Sequence, residues 1–103
     1  MSDKVALIAR ITVQPEAAAE AETALRRLVD AAGDEAGTVE YVLNREGDSG
    51  SFWFYEVYAD QAAFDAHGKN PALGEVFGTL GALLAEPPEM HLLTPVQAKH
   101  LTL

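Results

Sequence analysis

The stretch Phe52–Tyr58, FWFYEVY, constrains this chain more than any other. It holds five of the chain's eight aromatic residues. Its composition is that of a strand, and successive strand side chains point to opposite faces. Phe52, Phe54, Glu56 and Tyr58 therefore share one face, with Trp53, Tyr55 and Val57 on the other. Both faces are apolar, so the strand belongs in a sheet covered on both sides. Glu56 is the one carboxylate within it. Beyond the strand, Asp60 suits the N-cap of a short helix, Gln61–His67, which Gly68 ends.

The remaining elements follow from periodicity. Val5 to Val13 alternates as a strand, with Val5, Leu7, Ala9, Ile11 and Val13 on one face and Ala6, Ile8, Arg10 and Thr12 on the other. Pro15 suits a first helical turn, and residues 16 to 32 are almost all good helix formers. Ala21, Ala24, Leu25, Leu28, Val29 and Ala32 form its buried stripe. Thr38 to Asn44 is expected as a strand with Val39, Tyr41 and Leu43 on one face, joined to the aromatic strand by the turn Glu46–Gly50. Asn70-Pro71 reads as the start of a helix running to about Ala85, where Pro87-Pro88 would stop it. Gly78 and Gly81 would permit its close approach to a neighbour. Met90–Thr94 is a fourth strand, and the apolar tail Val96–Leu103 is expected to lie on something.

The order β-α-β-β-α-β over residues 1 to 103 predicts a single α+β domain of ferredoxin-like type, an antiparallel four-stranded sheet with its helices on one face. The other face would carry Ile8, Val42, Trp53, Tyr55, Val57 and Leu93. An uncovered patch of that kind is unusual on a monomer, which predicts a homodimer with sheets packed face to face.

Composition excludes whole classes of function. A formal charge of −9 argues against nucleic acid and anionic membrane surfaces as partners. No apolar run approaches the roughly 20 residues of a membrane span. The absence of cysteine removes disulfides, thiol nucleophiles and thiolate metal sites. No phosphate-binding glycine loop or metal-ligand spacing is present. Met1–Lys4 lacks the pattern of a secretion signal, so a cytoplasmic location is expected.

With these elements in place, the chain resembles the antibiotic biosynthesis monooxygenase (ABM) domain proteins over nearly its whole length. The resemblance lies in VALIARITVQP, in EAGTVEYVL, in FWFYEVYADQAAFDAH and in NPAL before a leucine-rich helix. It implies a dimeric α+β barrel of ferredoxin-like subunits. Some such proteins are cofactor-independent oxygenases of quinols or hydroxylated polycyclic aromatics. Others degrade haem, and one group isomerises a small phosphorylated signal. The haem-degrading branch resembles a pocket with asparagine, tryptophan and an axial histidine at the positions of Ala9, His67 and Phe77. All three depart here, so haem is not expected.

The resemblance thus implies a monooxygenase that oxidises a quinol or polyphenolic substrate with O2, without cofactor or metal. Such a reaction needs an aromatic-lined cleft and a base. Tyr41, Phe54, Tyr58, Phe64 and Phe77 are the lining candidates, although aromatics on a sheet face under helices are more often simply core. Histidine titrates near neutrality, which makes His67 the candidate base. Glu56 is expected to orient it, or to pair with Arg10. His67 could equally close the helix dipole, and Glu56 could equally be a structural ion pair. Two other functions remain open: an isomerase or other proton-transfer enzyme on a small metabolite, and a non-catalytic small-molecule-binding dimer. The first would want cations such as Arg10, Arg45 or Lys69 at its site.

Overall fold

The computed structural model describes residues 3–103. Strand β1 (Val5–Thr12) leads through a 3-10 turn at Pro15–Ala17 into helix α1 (Ala18–Ala32), and β2 (Thr38–Arg45) and β3 (Ser51–Tyr58) form a hairpin. Helices α2 (Gln61–Gly68) and α3 (Pro71–Leu80) follow, and β4 (Glu89–Leu93) completes the sheet. The strand order is β2-β3-β1-β4 with every neighbouring pair antiparallel, the ferredoxin-like arrangement.

Helix α1 buries Ala21, Ala24, Leu25, Leu28 and Ala32, the stripe read from its periodicity. All but Ala32 join the core cluster with Leu7, Ala9, Ile11, Phe52 and Phe54 from the inner face of the sheet, and α3 adds Val76 and Leu80. Each fully buried leucine contributes about 1.5–3 kcal/mol relative to exposure. Helix α2 begins where Asp60 caps it, its carboxylate accepting from Ala63 N–H at 2.8 Å. Asn70 caps α3 in the same way, accepting from Ala72 N–H at 3.0 Å, with Pro71 in the first turn. The β2–β3 turn uses Gly47 and Gly50 at positive φ. At Gly50 (φ +83°) a side-chain Cβ would also lie 2.7 Å from the Val13 carbonyl oxygen, so glycine is required twice over.

Four details differ from the sequence reading. The first helical turn is 3-10, and α1 proper begins at Ala18. Helix α3 ends at Leu80 rather than near Ala85. Glycine at 78 and 81 weakens its end, and the chain beyond is pinned to the end of β1 by Gln14 N–H to Leu83 O and Ala85 N–H to Thr12 O, each 2.9 Å. Leu83 and Leu84 still pack on the core. Neither glycine serves close approach: a Cβ at Gly78 would meet nothing within 4 Å, and at Gly81 only atoms 3.6 Å away or more. Lastly, β2 carries a bulge between Thr38 and Glu40, which leaves Val39 exposed instead of beside Tyr41 and Leu43.

The face away from the helices is only partly covered. Leu93, Ala6, Val57 and Glu40 form one row across the sheet, from the β4 edge to the β2 edge. The His100 imidazole pairs with the Glu40 carboxylate, so the tail crosses this row, where Ala6 and Val57 are buried. Farther along the same face, Val42 and Tyr55 remain 45% and 38% exposed. No helix among the described residues is long and apolar enough to cross a membrane.

Candidate functional site

Between the inner face of the sheet and helices α2 and α3 lies a cavity of about 270 Å³. Its wall is apolar except for three groups: the Glu56 carboxyl, the His67 imidazole and the Tyr41 phenol. Phe54, Phe64 and Phe77 line it as well. Each polar group arrives by a local rule. Tyr41 and Glu56 are register partners on β2 and β3, so both point inward. His67 sits in the last turn of α2, whose start Asp60 sets.

The ionisable groups are nearly dry. Glu56 and His67 are 3% and 7% exposed. Tyr58 donates its hydroxyl hydrogen to Glu56 Oε1. The nearer ring nitrogen of His67, Nε2, stands 3.9 Å from that same oxygen, too far for a direct hydrogen bond. The other nitrogen, Nδ1, lies 2.7 Å from Oε1 of Glu35. Glu35 belongs to the loop between α1 and β2, and it also accepts from Thr38 Oγ1 and Asn70 Nδ2, both at 2.7 Å. The rings of Tyr41 and Tyr58 flank the imidazole, each with its centroid 5.1 Å away.

The two carboxyls shift in opposite directions, although burial raises both. Burial pushes the Glu56 carboxyl above its usual range, and the Tyr58 hydrogen bond and the nearby imidazole offset this only in part. Burial also pushes Glu35 up, but the hydrogen bonds from Thr38, Asn70 and His67 outweigh it and hold the group below the usual range. Burial, reinforced by the charges of Glu56 and Glu35, raises the Tyr41 phenol. The Tyr58 phenol is raised by burial first and by its bond to Glu56 second. Both phenols therefore keep their hydrogens at neutral pH, and Tyr58 donates its own to Glu56.

The structure brings together His67, Glu56, Tyr41, Phe54, Phe64 and Phe77, and it departs from three expected contacts. Tyr58 is not on the cavity wall; its ring lies beside the imidazole and its hydroxyl is committed to Glu56. The carboxylate hydrogen-bonded to His67 is Glu35 and not Glu56. Nor does Glu56 pair with Arg10, which points to the other face, bonds Glu86 (3.0 Å) and Glu89 (3.4 Å) and stacks over Trp53. Glu35 was invisible to periodicity because it lies in a loop, DEAG, that reads as solvated. Its only signal was its place in the EAG stretch that carries the family resemblance. Among the described residues no cluster of histidines and carboxylates is suited to a metal ion.

Residues 4–78 match the family model described as antibiotic biosynthesis monooxygenase. The chain belongs to that family. Over 100 residues it is 32% identical to "Putative monooxygenase Rv0793" of Mycobacterium tuberculosis, with 93% of this chain and 95% of that protein covered. Among solved structures, PA3566 from Pseudomonas aeruginosa superposes with a TM-score of 0.84 at 32% identity, covering 94% of this chain and 98% of that one. A variant of SnoaB, a cofactor-independent oxygenase from Streptomyces nogalater, superposes with a TM-score of 0.81 at 29% identity, covering 97% and 100%. Glu35, Tyr41, Glu56 and His67 all fall inside the matched family span, whereas the tail that crosses the sheet lies outside it.

Proposed function

We propose that this ABM-family protein is a monooxygenase that oxidises a quinol or polyphenolic aromatic with O2, using no metal or organic cofactor. The observation that carries the reading is the His67–Glu56 pair set into an otherwise apolar, aromatic-lined cavity. Such a wall favours a flat aromatic, and a base within it can take a phenolic proton. His67 serves as that base, Tyr41 donates to a substrate oxygen, and Phe54, Phe64 and Phe77 hold the ring. The cavity lies just below the roughly 300–1,000 Å³ usual for ligand pockets, which favours one or two fused rings over four.

The chemistry balances on the substrate alone. The deprotonated quinol supplies two electron pairs to O2, one oxygen atom enters the ring as a hydroxyl and the other leaves as water, giving a hydroxyquinone. The SnoaB neighbour, named as a cofactor-independent oxygenase, supports this class of reaction. The isomerase reading is weaker because no arginine or lysine lines the cavity: Arg10 lies on the opposite face, and Arg45 bonds Glu22 at 2.9 Å.

The working unit in this reading is a homodimer. Val42, Tyr55 and Leu93 remain exposed on the face that the tail covers only at one end. A second copy packed there would cover them.

The test is oxygen uptake by chelator-treated protein with a panel of quinols and polyphenols. Protein-dependent uptake that falls by about 10²–10⁴ in His67→Ala supports the reading. Undiminished uptake in that variant removes His67 as the base. Tight binding of panel compounds without uptake assigns the protein as a binding dimer.

A further inference from the structure

Glu35 is the acceptor on which three other segments converge. Thr38 from the start of β2, His67 from the end of α2 and Asn70 from the α2–α3 link all reach its two oxygens at 2.7 Å. The orientation of Asn70 is not free. Its Oδ1 is committed to the Ala72 N–H at the start of α3, so its amide nitrogen must face Glu35. Thr38 likewise directs its single hydroxyl hydrogen at Glu35. A carboxyl surrounded by donors is an acceptor on both oxygens, that is, ionised. The downward shift of its titration agrees.

An ionised carboxylate 2.7 Å from Nδ1 requires that nitrogen to carry the ring hydrogen. In the neutral ring the lone pair is then on Nε2, the nitrogen on the Glu56 side of the imidazole. We infer that Glu35 is the positioning residue of this site: it holds His67 in the Nδ1–H tautomer, so that a bare Nε2 is available to take a proton in the cavity. Its importance for turnover rests on the proposed role of His67 as base; the tautomer itself does not. Glu35 does not line the cavity, so it acts through the imidazole and not on the substrate.

The carboxylate is needed for a specific reason. A glutamine at 35 has the same shape but one acceptor and one donor end. It satisfies Asn70, Thr38 and His67 together only by turning its oxygen to Asn70 and its amide nitrogen towards Thr38 and Nδ1. Thr38 then accepts instead of donating, and Nδ1 becomes an acceptor. The hydrogen moves to Nε2, where it caps the base. Glu35→Gln therefore preserves the packing and inverts the tautomer.

The test is two-bond proton–nitrogen NMR of the His67 ring, in protein without substrate, for the wild type, Glu35→Gln and Thr38→Val. The expected result is an Nδ1–H ring in the wild type and in Thr38→Val, and an Nε2–H ring in Glu35→Gln. In turnover, Glu35→Gln is expected to lose about 10²-fold or more in kcat with KM changed by less than about threefold. An Nε2–H ring in the wild type overturns the inference, and that measurement needs no variant to fold. An unchanged tautomer in Glu35→Gln overturns it equally. If the tautomers behave as expected but no protein consumes oxygen, the oxygenase reading fails and the positioning role stands.

Discussion

Tyr58 and Glu56 stand two residues apart on β3, on one face of the sheet, and the phenol of the first is bonded to the carboxyl of the second. The strand's two-residue period makes them neighbours, and burial makes the contact matter. Tyr58 is fully buried, so its hydroxyl needs a partner, and Glu56 supplies it. The imidazole of His67 stands near that same carboxyl oxygen, its Nε2 3.9 Å away.

Removing the phenol's hydrogen bond is expected to destabilise the fold. Tyr58→Phe leaves Glu56 Oε1 without its donor, at a cost of about 1–3 kcal/mol. Urea unfolding measures this. A loss near zero would mean that water replaces the hydroxyl.

The two carboxyls are expected to give stability profiles of opposite sign against pH. Glu56 has a folded pKa raised above the reference of 4.5, so its contribution is present below that pH and is lost as pH rises through the folded value. Glu56→Gln cannot ionise, so its melting temperature should gain on the wild type as pH rises above 4.5. Glu35 has a folded pKa below 4.5, so its contribution is present above that pH and is lost as pH falls through the folded value. The deficit of Glu35→Gln should therefore shrink on acidification. Thermal melts across this range decide both, and parallel trends for the two variants would contradict the assignment.

Gly37 is expected to tolerate no side chain. A Cβ there would lie 2.4 Å from the Ala63 Cβ in α2. Gly37→Ala must push α2 outward, with an overpacking cost of about 1–3 kcal/mol, and it carries His67 away from Glu35. Gly47→Asn is the control, since nothing lies within 4 Å of that position and its φ of +53° suits asparagine. Melting temperatures should fall for the first variant and barely change for the second.

The exposed face predicts an assembly. Val42→Asp puts a charge in the uncovered patch, on the edge strand β2, and should convert a dimer to a folded monomer in sedimentation analysis. A wild-type chain that sediments as a monomer would contradict the face-to-face dimer.

The fold was legible because its signals are local. The aromatic strand composition of Phe52–Tyr58, the alanine–leucine stripe of α1, the Asp60 cap and the Asn70-Pro71 start each depend on neighbours a few residues away. The site was legible in part for the same reason. Tyr41 and Glu56 face inward by strand period, and His67 ends a helix whose cap is written in the sequence. What periodicity misplaced were the end of α3, where backbone bonds to β1 compete with helix continuation, and Val39, which a bulge turned out of the core.

By itself, the sequence determined the elements, their apolar faces and the inward aim of the aromatic and carboxylate residues, because these follow from backbone period and short-range capping. Only the tertiary structure decided which carboxylate holds His67. Glu35 lies 32 residues from that histidine and has no periodic relation to it. It reaches Nδ1 because the glycine at 37 lets the loop before β2 close on α2. Three donors then fit one carboxylate, and a pairing that depends on such a meeting of segments is set by packing.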